Sequence, residues 1–302
     1  MIYPKPILRW AGGKRQLLEI LFASYPKNFN LRVNNYFEPF LGGGALFFSL
    51  ANKLTPPEID SLDETNRSFF LSDTNDELIN FYKVVRDKPK SLIKKAISMA
   101  RFKTEKDFYR VRESLPRSDI GRAAKLLYLN RLCFNGLYRV NSKGGFNVPY
   151  GRLKNPIVCN AELILDCSSW LKKAELCTES FSIAVRLAKR NDLVYFDPPY
   201  IPLSTTASFS SYAKEDFNES DQRELAKTID GLSKKGVSVI LSNSDTPLSR
   251  EIFGNLNLFS VTANRSISAA GSSRGRVQEL VGVNYPLSAM RDTSILEHFK
   301  VC

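Results

Sequence analysis

Apolar residues follow two rhythms along this chain, and the rhythms divide it into elements. Residues 35–40 form a short apolar run ending in the turn Leu41-Gly42-Gly43-Gly44, and 45–50 opens a helix. Strand, glycine turn, helix is how a nucleotide-binding α/β unit begins. Residues 69–73 predict a second strand with an acid, Asp73, at its carboxyl end. Between them, 54–68 is polar, carries Thr-Pro-Pro and several acids, and reads as a surface insertion.

From 76 to about 129 the spacing is helical, with Leu78, Ile79, Tyr82 and Val85 early and Ala123, Leu126 and Leu127 later. A Gly- and Asn-rich, aromatic segment continues to Pro156, and then the α/β rhythm returns. Near-continuous apolar runs at 192–197 and 236–243 predict strands buried on both faces of a parallel sheet, the second preceded by an amphipathic helix at 220–233. Strands at 258–263 and 279–285, joined by a loop at 266–274, predict a terminal hairpin. The fold class is α/β, a Rossmann-like sheet interrupted by a basic helical module. The expected boundaries are 1–75 and 158–286 for the sheet domain, 76–157 for the module and 287–302 for a tail.

Composition narrows the class. No apolar run approaches the ~20 residues of a membrane span, and the opening Met1-Ile2-Tyr3-Pro4-Lys5-Pro6 lacks the apolar stretch of a signal peptide. A cytosolic protein is expected. The formal net charge of +12 points to a polyanionic partner. Between Gly121 and Pro156 stand seven basic residues (Arg122, Lys125, Arg131, Arg139, Lys143, Arg152, Lys154) and no acid. Mixed with Tyr128, Phe134, Tyr138, Phe146 and Tyr150, they suit contacts to phosphates and bases. The five cysteines form no Cys-x-x-Cys pair, which favours free thiols over zinc. A single histidine, His298, excludes a histidine-dependent triad and most histidine-ligated metals. The chemistry is expected to need no metal.

Asp197-Pro198-Pro199-Tyr200 is the sharpest signal. It lies just past an apolar strand, where open α/β sheets bind ligands. The Asp197 carboxylate and the Pro198 carbonyl can both accept from one exocyclic amino group, drawing its lone pair out of ring conjugation. Two prolines stiffen the turn and pre-place those acceptors. Tyr200 can stack on the base. Read blandly, the tetrapeptide is a strand-ending turn with a capping Asp. Gly42-Gly43-Gly44 permits close approach of backbone to a ligand, but it is neither a Gly-x-Gly-x-x-Gly fingerprint nor a Walker loop. Asp73 is placed to accept from a ribose diol, or simply to cap a helix.

Together these segments resemble the Dam family of DNA adenine methyltransferases, whose best-known members act on GATC. The resemblance runs from Ile7 to about Tyr285. It is carried by Arg9-Trp10-Ala11-Gly12-Gly13-Lys14, Phe37-Glu38-Pro39-Phe40-Leu41-Gly42-Gly43-Gly44, Phe134-Asn135-Gly136-Leu137-Tyr138-Arg139 and Gly145-Phe146-Asn147-Val148-Pro149-Tyr150-Gly151-Arg152, then by Asp197-Pro198-Pro199-Tyr200 and Arg265-Ser266-Ile267-Ser268. The order of motifs is that of the α group of amino-methyltransferases. The resemblance implies an S-adenosylmethionine-dependent sheet with an inserted DNA-recognition domain carrying a β-hairpin.

It also implies roles. Trp10, Lys14, Glu38, Pro39, Phe40, Gly42, Gly43, Asp73 and Asp197 match S-adenosylmethionine contacts, with Ser180 and Phe181 near the cofactor's adenine. Asp197, Pro198, Pro199 and Tyr200 match the catalytic site for a flipped adenine. Arg139 matches a guanine reader, and Leu137, Asn141 and Pro149 match its neighbours. Phe134 and Asn135 match residues that enter the base stack. Arg9 stands where the family reads the outer guanine with lysine, and Arg152 reads best as a phosphate contact or a solvated face. Leu153 stands where the enteric enzymes have tyrosine. Double-stranded DNA is the expected partner, with a monomeric enzyme in the nucleoid and a place in repair, restriction-modification or a phage. Cytosine-N4 methylation, RNA adenine methylation and a catalytically silent DNA-binding protein are the alternatives.

Overall fold

The structure, a computed structural model, describes residues 4–10, 14, 17–31, 34–53, 69–102, 104–202, 217–264, 276–295 and 300–301. The predicted insertion at 54–68, the loop at 266–274, the motif Arg265–Ser268 and His298 lie outside them. Packing divides the chain into two compact units, one of residues 1–14, 41–67 and 73–178, the other of 15–40, 68–72 and 179–302.

The second unit is built on a sheet. Its strands are β1 (Tyr36–Glu38), β2 (Phe69–Asp73, whose last residue counts with the first unit), β4 (Leu193–Phe196), β5 (Ser238–Ser244), β6 (Asn257–Asn264), β7 (Arg276–Val283) and β8 (Lys300–Val301). They run in the order β2-β1-β4-β5-β7-β6-β8. The first four are parallel, with Phe37 opposite Phe70 and Val194, and Phe196 opposite Leu241. All four residues of β4 are buried, as a strand covered on both faces requires. The last three strands pair antiparallel, β7 inserting between β5 and β6 with Ser244 opposite Glu279. The predicted hairpin is present, its return strand beginning three residues and ending two residues earlier than expected.

Helices α1 (Leu18–Ala23), α8 (Ser182–Leu187), α9 (Glu219–Lys234) and α10 (Pro247–Ile252) complete this unit. In α9 a capping box of Asn218 and Asp221 fixes the start, and Leu225, Ile229 and Leu232 recur at helical spacing on its buried face. They pack with Phe37, Val194, Phe196, Val239 and Leu241 into one core. Each such side chain contributes about 1.5–3 kcal/mol on burial. The chain leaves β1 for β2 on one side and returns to β4 on the other. That reversal is a topological switch point, and Glu38 and Asp197 stand at the carboxyl ends of its two strands.

The first unit is mainly helical: α2 (Ala45–Lys53), α3 (Asp76–Asp87), α4 (Pro89–Met99), α5 (Glu105–Glu113), α6 (Asp119–Leu132) and α7 (Ala161–Leu171), with strand β3 (Ala174–Thr178). Local chemistry sets the boundaries. Asn75 caps α3, Pro89 opens α4, Thr104 and Asp107 form a capping box on α5, and Ser118 caps α6. Nine of the fourteen residues of α6 are buried because α3, α4 and α5 all pack on it. A helix covered on most of its circumference belongs to an interior. Strand β3 was not predicted, since Ala-Glu-Leu-Cys-Thr offers too short an apolar pattern.

Candidate functional site

In the second unit, the chain leaves β4 through Asp197-Pro198-Pro199-Tyr200, and the turn is fixed from several sides. Ser242 Oγ donates to Asp197 Oδ1 at 2.9 Å. The hydroxyl of Tyr195 lies 2.9 Å from Ser242 Oγ. Since the Ser242 proton is committed to Asp197, Tyr195 donates, giving a chain from Tyr195 through Ser242 to the carboxylate. A hydrogen bond to a charged group is worth about 1.5–3 kcal/mol, enough to select one carboxylate orientation.

Downstream, Gln222 Nε2 donates to the Pro199 carbonyl at 2.7 Å, and Asn243 Nδ2 donates to Gln222 Oε1 at 3.1 Å. Asn243 Oδ1 accepts from the Ile201 and Ser244 amides, and Ser244 Oγ donates to the Ile201 carbonyl at 2.6 Å. Tyr200 reaches Glu279 Oε2 with its hydroxyl at 2.9 Å. Burial pushes the Tyr195 and Tyr200 phenols far above their ordinary range, with the Asp197 charge adding to it. Both remain neutral donors at working pH.

The same unit holds several residues expected near a cofactor. Glu38 is buried at the end of β1 and accepts from the Tyr36 hydroxyl at 2.9 Å. Pro39 is also buried. Phe40 and Phe181 stack with ring centroids 5.7 Å apart, and Phe217 meets Phe40 edge-on at 5.4 Å. Ser180 is exposed and bonded to Ser182.

In the first unit, the glycine turn is tied to Asp73. Asp73 Oδ2 accepts from the Gly42 amide and Oδ1 from the Asn75 amide, both at 3.0 Å. Burial raises the Asp73 carboxyl above its ordinary value, against the lowering pull of those amides. Each oxygen retains acceptor capacity, because a carboxylate offers about four lone-pair sites. Gly42 has φ +48, and a Cβ there would lie 2.9 Å from Trp10 Cδ1. Trp10 thus lies directly against the turn, and it stacks on Tyr138 at 5.0 Å. The Tyr82 hydroxyl holds the Gly42 carbonyl at 3.1 Å. Lys14 is buried; Ala11, Gly12 and Gly13 lie outside the described residues. Bare backbone beside an indole, with an acid at the strand end, fits a nucleoside-bearing cofactor.

The basic aromatic segment, also in the first unit, leaves α6 at Cys133. Its neck is closed by main chain: Phe134 N donates to Pro149 O at 2.9 Å, Gly151 N to Leu132 O at 2.8 Å, and Cys133 bridges Tyr150 antiparallel. A Cβ on Gly151 would lie 2.5 Å from the Cys133 carbonyl oxygen. Asn135 and Gly136 both adopt left-handed backbone, turning the chain sharply. Farther out, Val140 bridges Phe146, and Asn141 Oδ1 accepts from the Lys143 and Gly145 amides. Arg139 is exposed, its Nε donating to Asn147 Oδ1 at 2.7 Å. Phe134 is 44 % exposed, a high value for a phenylalanine. Pro149 and Asn135 are exposed and Leu137 half-buried. Arg9 is exposed too; Arg152 lies 3.5 Å from Glu105.

Sequence reasoning missed Ser242, Asn243, Gln222, Glu279, Asn147 and Asn130. A signal existed for the first two: three polar residues in a row, Ser242-Asn243-Ser244, follow the apolar Val239-Ile240-Leu241, and all six are buried. Buried polar groups of that kind must have partners.

Residues 10–267 match the family model described as D12 class N6 adenine-specific DNA methyltransferase. The Type II methyltransferase M1.LlaDCHI of Lactococcus lactis subsp. cremoris is 41% identical over 290 residues, covering 93% of this chain and 95% of that protein. The DNA adenine methylases of Vibrio cholerae and Escherichia coli K12 are 35% and 34% identical, each covering 93% of this chain and 96% of its own length. The mixed α/β architecture is consistent with an S-adenosylmethionine-dependent methyltransferase, and that cofactor is the methyl donor the family implies. The chain belongs to the D12 class of N6 adenine-specific DNA methyltransferases, enzymes that act on adenine in DNA.

Proposed function

We propose that this enzyme methylates adenine within GATC, on a base flipped out of the duplex, with Asp197-Pro198-Pro199-Tyr200 as the site that receives the base. The observation that carries this reading is the Asp197 carboxylate, held by Ser242 beside a doubly proline-stiffened turn at the end of β4. A fixed acceptor at a switch point is suited to an exocyclic amine.

S-adenosylmethionine supplies an electrophilic methyl group. In the first unit, Asp73 accepts from the ribose hydroxyls, Gly42 and Gly43 let backbone approach, and Trp10 and Lys14 line the same ligand. In the second, Glu38, Pro39, Phe40, Ser180 and Phe181 serve the cofactor. Asp197 and the Pro198 carbonyl take the two N6 protons as hydrogen bonds, and Tyr200 stacks on the ring. Asp197 need not be strongly basic, because the amine becomes acidic only as it is alkylated. Most of the rate then comes from positioning and preset acceptors. Extruding the base costs a few kcal/mol of unstacking.

Residues 76–157 form the recognition module on double-stranded DNA in this reading. Arg139 reads guanine O6 and N7 with a bidentate pair, Leu137, Asn141 and Pro149 contact neighbouring base edges, and Arg9 reads the outer guanine. Phe134 and Asn135 fill the gap left by the flipped base. Arg152 contacts phosphate. The exposure of Phe134 and Arg139 supports these roles. The Type II relative favours a restriction-modification setting.

The test is expression in a strain lacking adenine methylation, followed by digestion of plasmid DNA with methyl-sensitive GATC nucleases. Protection is expected. Cleavage at GATC despite tritiated methyl incorporation would sink the site assignment while keeping the chemistry.

A further inference from the structure

We propose that Asn130 is a specificity-determining positioning residue: its carboxamide locks the main chain of Arg9 to the turn that carries Phe134 through Arg139. The proposal rests on the reading of Arg9 and Arg139 as base readers, and adds the part that sets the distance between them.

Asn130 sits in the last turn of α6 and is fully buried. Its Nδ2 donates to the Arg9 carbonyl at 2.6 Å and to the Gly136 carbonyl at 3.0 Å. Its Oδ1 accepts from the Arg9 amide at 2.8 Å. Both hydrogens and the oxygen are therefore committed. Only a primary amide offers two donors and an acceptor in one plane, so aspartate and serine lose part of the set and leucine all of it. Pairing with both the N–H and the C=O of Arg9 is the two-bond contact a strand residue makes with its opposite number. It spans 121 positions of sequence.

Two neighbouring contacts reinforce the lock. Arg131 Nη2 donates to the Ile7 carbonyl at 2.6 Å, so consecutive residues of α6 grip the segment 7–9. Gly136 has φ +65, and a Cβ there would lie 2.5 Å from both Cβ and Cδ of Arg9. The stem of Arg9 thus lies directly on the turn. Cys133 Sγ also donates to the Leu137 carbonyl at 3.3 Å, pinning the exit of the same turn. Arg9 and Arg139 lie far apart in sequence yet start from one rigid frame. Their side chains remain exposed, and only those side chains need ordering on DNA.

The experiment compares kcat/KM on a duplex containing one GATC with that on a duplex whose outer G·C pair is replaced by A·T. Asn130→Ala is expected to lower this discrimination ratio about tenfold, with the dissociation constant for tritiated S-adenosylmethionine within about twofold of wild type. Asn130→Asp, close in size but without the donors, should behave alike. Leu92→Ala, a buried position on α4, is the control: it should lower Tm and leave the ratio intact, which separates positioning from general destabilisation. Should Asn130→Ala fail to fold, Gly136→Ala displaces Arg9 from the other side and carries the same expectation. An unchanged ratio in the folded variant, with Arg9→Ala lowering it, overturns the proposal alone. An unchanged ratio in Arg9→Ala overturns the base-reading role and this proposal with it.

Discussion

The turn after β4 and the segment after α6 are both polar excursions from apolar elements, and they are held in opposite ways. Around Asp197, side chains hold side chains and backbone: Tyr195 with Ser242, and Asn243 with Gln222, are buried and bonded in pairs. In residues 133–151, main chain closes on main chain at the neck, while Phe134 and Arg139 project outward. The difference suits the roles proposed for each. A reacting group gains from being fixed in advance, since reorganisation at the moment of reaction costs rate. A reading group must meet a surface that arrives from outside, so a firm base with exposed tips suffices.

The largest effect that tests this contrast is Asp197→Ala. We expect turnover, measured as tritiated methyl incorporation, to fall at least about a thousandfold, comparable to removing a preset electrostatic partner or more. Cofactor and DNA binding should stay measurable, and near-wild-type turnover would remove Asp197 from the chemistry. Arg139→Ala should do the reverse: kcat at saturating DNA largely kept, with discrimination between GATC and near-cognate duplexes reduced about tenfold to a hundredfold, the worth of one bidentate base contact. An unchanged preference would deny Arg139 the role of guanine reader.

Ser242→Ala sharpens the comparison from inside the turn after β4. The Asp197 carboxylate loses a 2.9 Å donor, and kcat should drop about tenfold, the scale of one charge-assisted hydrogen bond, while the discrimination ratio holds. A fall in discrimination with kcat intact would erase the distinction drawn above.

The smallest effect is in pH. Burial raises the Asp73 carboxyl above its ordinary value. The folded chain then holds that proton more tightly than the unfolded chain. For this group alone, stability in the absence of cofactor falls as pH rises from the ordinary to the raised value. Binding of S-adenosylmethionine, which uses the Asp73 carboxylate in the proposed reading, should run the other way, weakening a few-fold as pH drops through the same window. Calorimetric affinities that are flat there in wild type, or that keep their pH dependence in Asp73→Asn, would remove Asp73 from the ribose.

Much of this architecture was legible in the sequence. Strands β1, β2, β4 and β5 announce themselves as apolar runs, and α9 by the spacing of Leu225, Ile229 and Leu232. The glycine turn and the Asp-Pro-Pro-Tyr motif were equally plain. What escaped were elements decided by few residues. Helix α10 is six residues long and is set by Thr246 as cap and Pro247 behind it. Strand β3 has only Ala174 and Leu176 buried. The supporting polar residues escaped for another reason. Ser242, Gln222 and Asn130 look unremarkable in isolation, and only the tertiary contact that satisfies them in the interior gives them meaning.

The closed neck of residues 132–151 has a consequence for how such enzymes diversify. Because Leu132, Cys133, Phe134, Pro149 and Gly151 meet through backbone groups, the seal makes almost no demand on side-chain identity, apart from the glycine. The outer stretch, from Arg139 to Asn147, can therefore change its lettering without loosening the helix beneath. It behaves like an interchangeable print head on a fixed carriage, and a grafted tip that keeps Gly151 should carry a new target preference with it.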